Sequence, residues 1–190
     1  MKKLGEFTTI QMGYTFRDSL AQWPKGNVPV IQMKDISDTG LVIVSTLNRI
    51  QMDDPNENHL VRSGDVVFRS RGLKMTAALV SEHNENLILS APLFRLRVVQ
   101  STVLPAYLQW YINQPKAQAY LQTVAAGSAQ MMISKQNLME MMVEIPSLDS
   151  QKRIVDVAVL LDREVELRES INEKRLKVIS AQLAQFSEEA

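Results

Sequence analysis

The chain has no cysteine and only two histidines among its 190 residues. The first absence excludes a disulfide framework and any thiolate zinc site, and it agrees with a reducing compartment. The second leaves little material for a catalytic triad or a His-rich metal cluster, because His59 and His83 each stand in a polar stretch and read as solvent-facing loop. No apolar run approaches the roughly 18–20 residues of a membrane span. The opening Met1-Lys2-Lys3-Leu4-Gly5-Glu6-Phe7 has no apolar stretch behind its lysines of the kind a signal peptide needs. A cytoplasmic protein without membrane association is expected. An excess of positive charge is also missing, since 21 Lys/Arg balance 21 Asp/Glu. A protein that grips DNA alone through many phosphates usually has such an excess.

What is present is unevenly distributed. Residues 149–190 hold 7 Lys/Arg against 9 Asp/Glu, so residues 1–148 keep a small positive balance. Within it, Arg62, Arg69, Arg71 and Lys74 cluster around a single acid, Asp65. The first hundred residues read as β-rich. Val28–Met33, Leu41–Ser45, Asp65–Ser70, Thr76–Ser81, Leu87–Ser90 and Leu93–Val99 are short Val/Ile/Leu/Phe runs separated by Gly, Asn, Asp and Pro. In the last of them Phe94, Leu96 and Val98 alternate with Arg95 and Arg97, which predicts a half-buried strand with a basic outer face. Helices are predicted from Pro105, from Lys116 to Val124, and from Lys135 to Glu140 behind a Ser134 cap. Val143-Glu144-Ile145-Pro146 reads as an edge strand stopped by its proline.

From Asp149 or Ser150 to about Phe186 neither Gly nor Pro occurs. Ile154, Ala158, Leu161 and Val165, then Leu176, Ile179, Leu183 and Phe186, recur at heptad spacing, with a polar stretch between them interrupted by Ile171. A helix of this length is expected to outrun one small domain, so its apolar stripe calls for a partner helix.

Catalytic motifs are scarce. Asp53-Asp54-Pro55-Asn56 approaches the Asp-Pro-Pro-aromatic pattern of adenine methyltransferases but lacks the second proline and the stacking aromatic, so it reads as a turn. The best nucleic-acid candidate is Arg69-Ser70-Arg71-Gly72-Leu73-Lys74, at the end of a strand. Arginine can pair bidentately with a guanine edge, lysine suits a phosphate, and Gly72 lets the backbone approach a groove. Tyr14, Thr15 and Arg17 in one segment and Lys34 in another are weaker candidates, as are Ser128 and Gln130 after Ala125-Ala126-Gly127. Met131, Met132, Met139, Met141 and Met142 read as core and gap-filling residues.

Several of these segments fall in a definite order: Leu4-Gly5-Glu6, Gly13-Tyr14-Thr15-Phe16, the strand from Val28 into Lys34-Asp35-Ile36, Gly64-Asp65-Val66-Val67-Phe68 running to Arg71-Gly72, and Gly127-Ser128. Ile133-Ser134, Ile145-Pro146-Ser147-Leu148 and Gln151-Lys152-Arg153-Ile154-Val155 complete it. This order resembles the specificity (S) subunits of type I restriction-modification enzymes over essentially the whole chain, and the last block is the most specific. The resemblance implies an α+β fold: a β-rich target-recognition domain with short helices, residues 1–148, followed by one long C-terminal helix, residues 149–190, pairing as an antiparallel coiled coil. It implies a non-catalytic chain that reads half of a split site in double-stranded DNA. Such subunits dock DNA adenine methyltransferase (modification) subunits, which bind S-adenosylmethionine, and work with a restriction subunit; the chain itself needs no cofactor and no metal. On this reading Arg69, Arg71, Gly72 and Lys74 are the first DNA contacts, with Tyr14, Thr15, Arg17, Lys34, Ser128 and Gln130 second. The family pattern has two recognition domains and two helices, whereas this sequence holds one of each. A homodimer joined along Ile154, Ala158, Leu161, Val165, Ile171, Leu176, Ile179, Leu183 and Phe186 is therefore expected, although a truncated or separately encoded half fits the residues equally well. Two rival readings are a scaffold that binds modification subunits without reading DNA, and a nuclease using Asp35 and Asp65.

Overall fold

Most of the expected apolar runs become strands, trimmed at their polar ends. A computed structural model describes residues 1–16, 26–37, 39–42, 47–72, 75–83, 85–126 and 132–188, except the side chains of 186–188. In chain order the strands are β1 (Lys2–Lys3), β2 (Thr8–Met12), β3 (Val28–Ile31), β4 (Asn48–Ile50), β5 (Leu60–Val61), β6 (Val66–Arg69), β7 (Ala77–Leu79), β8 (Leu87–Leu89), β9 (Leu93–Val98) and β10 (Met142–Val143). The helices are α1 (Pro105–Ile112), α2 (Pro115–Ala126), α3 (Lys135–Glu140) and α4 (Leu148–Glu188). Sequence order does not predict the pairing. One sheet runs β2-β9-β6-β7, all antiparallel; a second runs β4-β3-β8-β5, with β3 and β8 parallel; β1 pairs with β10.

The two larger sheets share a core. Ile31, Val61, Leu87 and Leu89 from the second sheet pack with Val67, Ala78 and Leu93 from the first. Val28, Val30, Ile50 and Ile88 form a second cluster, against which Phe16, Met52 and Leu60 pack. Helix α1 lies on β6 and β7, while α3 lies by β2 and the tight turn Leu4–Glu6. The result is an α+β fold with a long C-terminal helix, as expected.

Three expectations need correction. The guanidinium side of β9 is not an outer face. Arg95 is only 8% exposed, and its Nη1 donates to the carbonyls of Asn58 at 3.0 Å and Leu60 at 2.7 Å. Arg97 holds Asp65 through Nε and Nη2, both at 2.7 Å. The segment Glu57–Val61 crosses that side of the sheet, and its carbonyls accept from both arginines, which offsets much of the cost of covering charged groups, while Arg95 Nε stays buried without a hydrogen-bond partner. Burial lowers the pKa of Arg95, with Arg97 adding to the effect, whereas the hydrogen bond to Asp65 raises that of Arg97. Second, the edge strand before Pro146 is shorter and earlier than expected. Only Met142 and Val143 pair, with Lys3 and Lys2, and Met142 is exposed rather than core. Third, His59 is half-buried, its ring edge-on to Tyr14 at 5.5 Å between centroids.

The chain divides into two units, Met1–Lys152 and Arg153–Ala190. The first turn of α4 belongs to the first unit, and Gln151 ties it there. Ser147 caps the helix, its Oγ accepting from the Ser150 N–H at 3.3 Å. Gln151 is fully buried; its Oε1 accepts from the Leu104 N–H, and its Nε2 donates to the Thr102 and Pro146 carbonyls, each at 2.9 Å. One amide thus joins the start of α1 to the start of α4. Gln151→Leu leaves all three backbone groups without that partner, so unfolding is expected to be easier by roughly 2–3 kcal/mol. Urea denaturation checks this, and an unchanged midpoint would remove Gln151 from that role.

The second unit is helix alone. The whole of α4 has 41 residues and runs about 60 Å at roughly 1.5 Å per residue. Leu161, Val165, Ile171, Leu176, Ile179 and Leu183 are all exposed on it; Ile154 and Ala158 are intermediate, and the Phe186 side chain lies outside the described set. Among the described residues, no helix is long and apolar enough to cross a membrane.

Candidate nucleic-acid interface

Gly13 is where the first candidate segment becomes possible. A Cβ there would come within 2.6–2.8 Å of the Ser90 and Leu89 backbone, a distance only glycine tolerates. The chain therefore passes flush against the end of β8. The Tyr14 N–H donates to the Leu89 carbonyl at 2.6 Å, and the Ala91 N–H to the Tyr14 carbonyl at 2.9 Å. Beyond this clamp Tyr14 is 38% exposed, with Phe16 packed on its ring at 4.8 Å between centroids, and Thr15 is exposed.

The second segment reaches the same place. Thr15 and Phe16 line a concavity of about 350 Å³ together with Gln32, Met33, Ser90, Ala91 and Pro92. Next to Met33 stands exposed Lys34, on the tight turn Met33–Asp35. Asp35 builds that turn, its buried carboxylate accepting from the Gln32 N–H at 2.9 Å. Burial raises the pKa of this carboxyl, while the Gln32 N–H and the Lys34 charge oppose the rise.

Arg69 connects the third segment to this turn. Its Nη2 donates to the Met33 carbonyl at 3.1 Å and to that of Ile36. Arg69 thus braces the loop that presents Lys34. The Ser70 hydroxyl donates to the Pro92 carbonyl at 2.6 Å, so the end of β6 borders the concavity. Arg71 and Gly72 follow, both exposed, with Gly72 at φ +109°, a conformation that favours glycine. Arg71 bridges to Met132, with Nε 3.1 Å from Sδ, and the Ile133 N–H donates to the Ser70 carbonyl at 3.0 Å.

The structure therefore brings Tyr14, Thr15, Lys34, Arg69, Arg71 and Gly72 to one region, and Met132, shortly after Gln130, joins them. Arg17, Lys74, Ser128 and Gln130 lie outside the described residues. Sequence reasoning missed Ser90-Ala91-Pro92. The runs on either side, Leu87–Ser90 and Leu93–Val99, are legible, but nothing local connects the turn between them to Gly13 or Gln32. The two carboxylates of the nuclease reading are both engaged structurally, Asp35 with the Gln32 N–H and Asp65 with Arg97.

Together these features define a β-rich domain whose aromatic and basic loops surround a shallow depression, followed by a long helix with an exposed apolar stripe. The chain belongs to the family described as the type I restriction modification DNA specificity domain, whose model matches residues 1–175. That family is one of specificity components rather than catalytic ones. The fold resembles the HsdS subunit from Thermoanaerobacter tengcongensis, with a TM-score of 0.59 at 21% identity over 87% of this chain and 37% of that one. It also resembles the S subunit of a type I restriction-modification system from M. genitalium, with a TM-score of 0.57 at 14% identity over 87% and 39%. A third likeness is to a chain of a structure describing complex assembly and conformational transition of the type I R-M system, with a TM-score of 0.65 at 21% identity over 87% and 38%. The chain thus spans less than two fifths of the length of these solved relatives. Among curated proteins, none matches.

Proposed function

We propose that this chain reads one half of a split site in double-stranded DNA, as the non-catalytic specificity component of a type I restriction-modification assembly in the cytoplasm. The observation that carries the reading is the convergence of Tyr14–Phe16, Gln32–Lys34 and Arg69–Gly72 on one surface, in a domain of the specificity family. In this proposal Arg71 reads a base edge, Lys34 holds a phosphate, and Tyr14 and Thr15 line the groove contact. Arg69 acts as a positioning residue through the Met33–Ile36 turn. Arg17, Lys74, Ser128 and Gln130 remain proposed contacts from their place in the sequence. Recognition lies in residues 1–148 and assembly in residues 149–190, where two copies pair through the stripe of α4. The modification subunits, with their S-adenosylmethionine, supply the adenine methylation, and a restriction subunit joins through them. The near-zero net charge fits this division, because a partner then supplies much of the positive field.

Arg71→Ala is expected to relax base preference at one position of the site, by roughly 1–3 kcal/mol if the contact is bidentate to guanine. Selection from a randomised duplex library, with the modification subunit present, measures this. An unchanged preference removes Arg71 as a reader. If the unaltered chain also selects no sequence, the scaffold reading replaces the reading of DNA.

A further inference from the structure

The walls of the concavity beside Tyr14 are fixed by hydrogen bonds from three separate segments. The Ala91 N–H holds the Tyr14 carbonyl at 2.9 Å, which anchors the Thr15–Phe16 wall. Ser90 is tied to Ile31, its N–H and its hydroxyl both donating to that carbonyl, at 2.9 and 3.2 Å. Pro92 is held by the fully buried Ser70, and the Gln32–Met33 wall by the Asp35 carboxylate. A surface held this way is shaped in advance for what it binds.

The lining is mixed. Phe16, Met33, Ala91 and Pro92 bring apolar surface, and Thr15, Gln32 and Ser90 bring polar groups. Hydrogen bonding sorts the polar ones. The Ser90 hydroxyl proton is already given to Ile31. In the half-buried Gln32 amide, Oε1 accepts from Nδ2 of Asn48 at 3.4 Å, and Asn48 is itself only 7% exposed. Among the described residues Gln32 Nε2 has no partner. The concavity therefore offers an amide donor beside an apolar wall, with Asn48 as the positioning residue that sets which end of the amide is free.

We infer that this concavity takes the major-groove edge of a thymine, its C5 methyl against Met33, Ala91 and Pro92 and its O4 accepting from Gln32 Nε2. Of the four bases, only thymine sets an acceptor beside an apolar group on that edge. Guanine presents two acceptors and nothing apolar. Cytosine presents an amino donor, which would meet the Gln32 donor head-on. Adenine pairs with glutamine through both ends of the amide, and here Oε1 is engaged by Asn48. The inference rests on the reading of DNA proposed above and deepens it by naming the base that this concavity selects.

The test alters the DNA before it alters the protein. The full-length chain, with the modification subunit present, selects its half-site from a randomised duplex library. Each thymine of that half-site is then replaced by deoxyuridine, which lacks only the methyl group. One position is expected where the replacement weakens binding by about fourfold, the worth of one buried methyl. Ala91→Val puts two further carbons where that methyl sits. It should abolish the preference for thymine over uracil at that position, and an unchanged preference at the Arg71-dependent position shows that the variant is folded. Gln32→Leu should keep the methyl effect but lower the preference for thymine over cytosine there by about tenfold. A half-site in which no thymine responds to uracil overturns the inference, as does a uracil penalty equal in Ala91→Val and the unaltered chain; in either case the Arg71-dependent preference still stands. An unchanged preference over cytosine in Gln32→Leu overturns the role of the amide. If the unaltered chain selects no sequence, the reading of DNA fails, and this inference with it.

Discussion

Asp65→Ala is expected to make the recognition domain easier to unfold by about 3 kcal/mol or more. Asp65 directly precedes β6 and is almost fully buried, at 2% side-chain exposure against 25% for Arg97. Its Oδ1 accepts from Arg97 Nε, and its Oδ2 accepts from Arg97 Nη2 and the Arg62 N–H, all three at 2.7 Å. Alanine removes the acceptor but leaves the guanidinium, and Arg95 lies beside it with its charge already disfavoured by burial. Two neighbouring cations would then share a covered face with backbone carbonyls as their remaining partners. Breaking one side of a buried pair is costlier than never having built it, and the partial exposure of Arg97 holds the effect near the lower end of the usual range. With a urea slope of about 2 kcal/mol per molar, the midpoint should fall by roughly 1.5 M. Asp65→Asn keeps the shape and one acceptor and should lose distinctly less. Equal midpoints for Asp65→Ala and the unaltered chain would mean that the pair contributes nothing net.

This pair also marks where the sequence stops being legible. Alternation along β9 correctly separates Phe94 and Leu96 from Arg95 and Arg97, because side chains on a strand take opposite faces. It does not say that both faces are covered. The cover comes from Glu57–Val61, far away in the chain, whose carbonyls accept from the guanidinium groups. Helices were more legible, since Pro105 and Ser134 mark their own starts through local backbone chemistry. The candidate site divides in the same way. Gly13, Lys34, Arg71 and Gly72 stand out individually, as turn or charge signals. Their convergence depends on β8 pairing in parallel with β3 and on Ser90–Pro92 filling the space between, contacts that no local pattern encodes. Gln151 is a further case. It belongs to the most specific block of the family resemblance, yet its task of joining Leu104, Thr102 and Pro146 is visible only in three dimensions.

The largest functional effect is expected from Leu161→Glu combined with Ile179→Glu. Both positions are more than half exposed in the single chain, and glutamate is a good helix former, so α4 and the recognition domain should stay folded with an unchanged urea midpoint. Pairing is a different matter. With the two stripes of an antiparallel pair superposed, residue 161 of each copy faces residue 179 of the other, so the double variant loses four apolar side chains per dimer and sets glutamates against glutamates at both ends. Each lost burial is worth roughly 1.5–3 kcal/mol, and like charges add to the deficit. The dimer should therefore weaken by well over about a hundredfold, and light scattering should find monomers at concentrations where the unaltered chain is paired. The consequence for DNA follows from phosphate counting. A paired molecule holds two half-sites and releases counterions at both, whereas a monomer holds one, so the slope of log affinity against log salt should fall to about half. Affinity for the split site should drop toward that for a single half-site, because the second domain no longer benefits from being tethered. Leu161→Lys with Ile179→Glu supplies the control: it carries the same number of charges in the seam, yet places opposite signs face to face, and it should recover part of the pairing. If the glutamate variant stays dimeric with its full salt slope, the stripe on α4 is not what joins two copies.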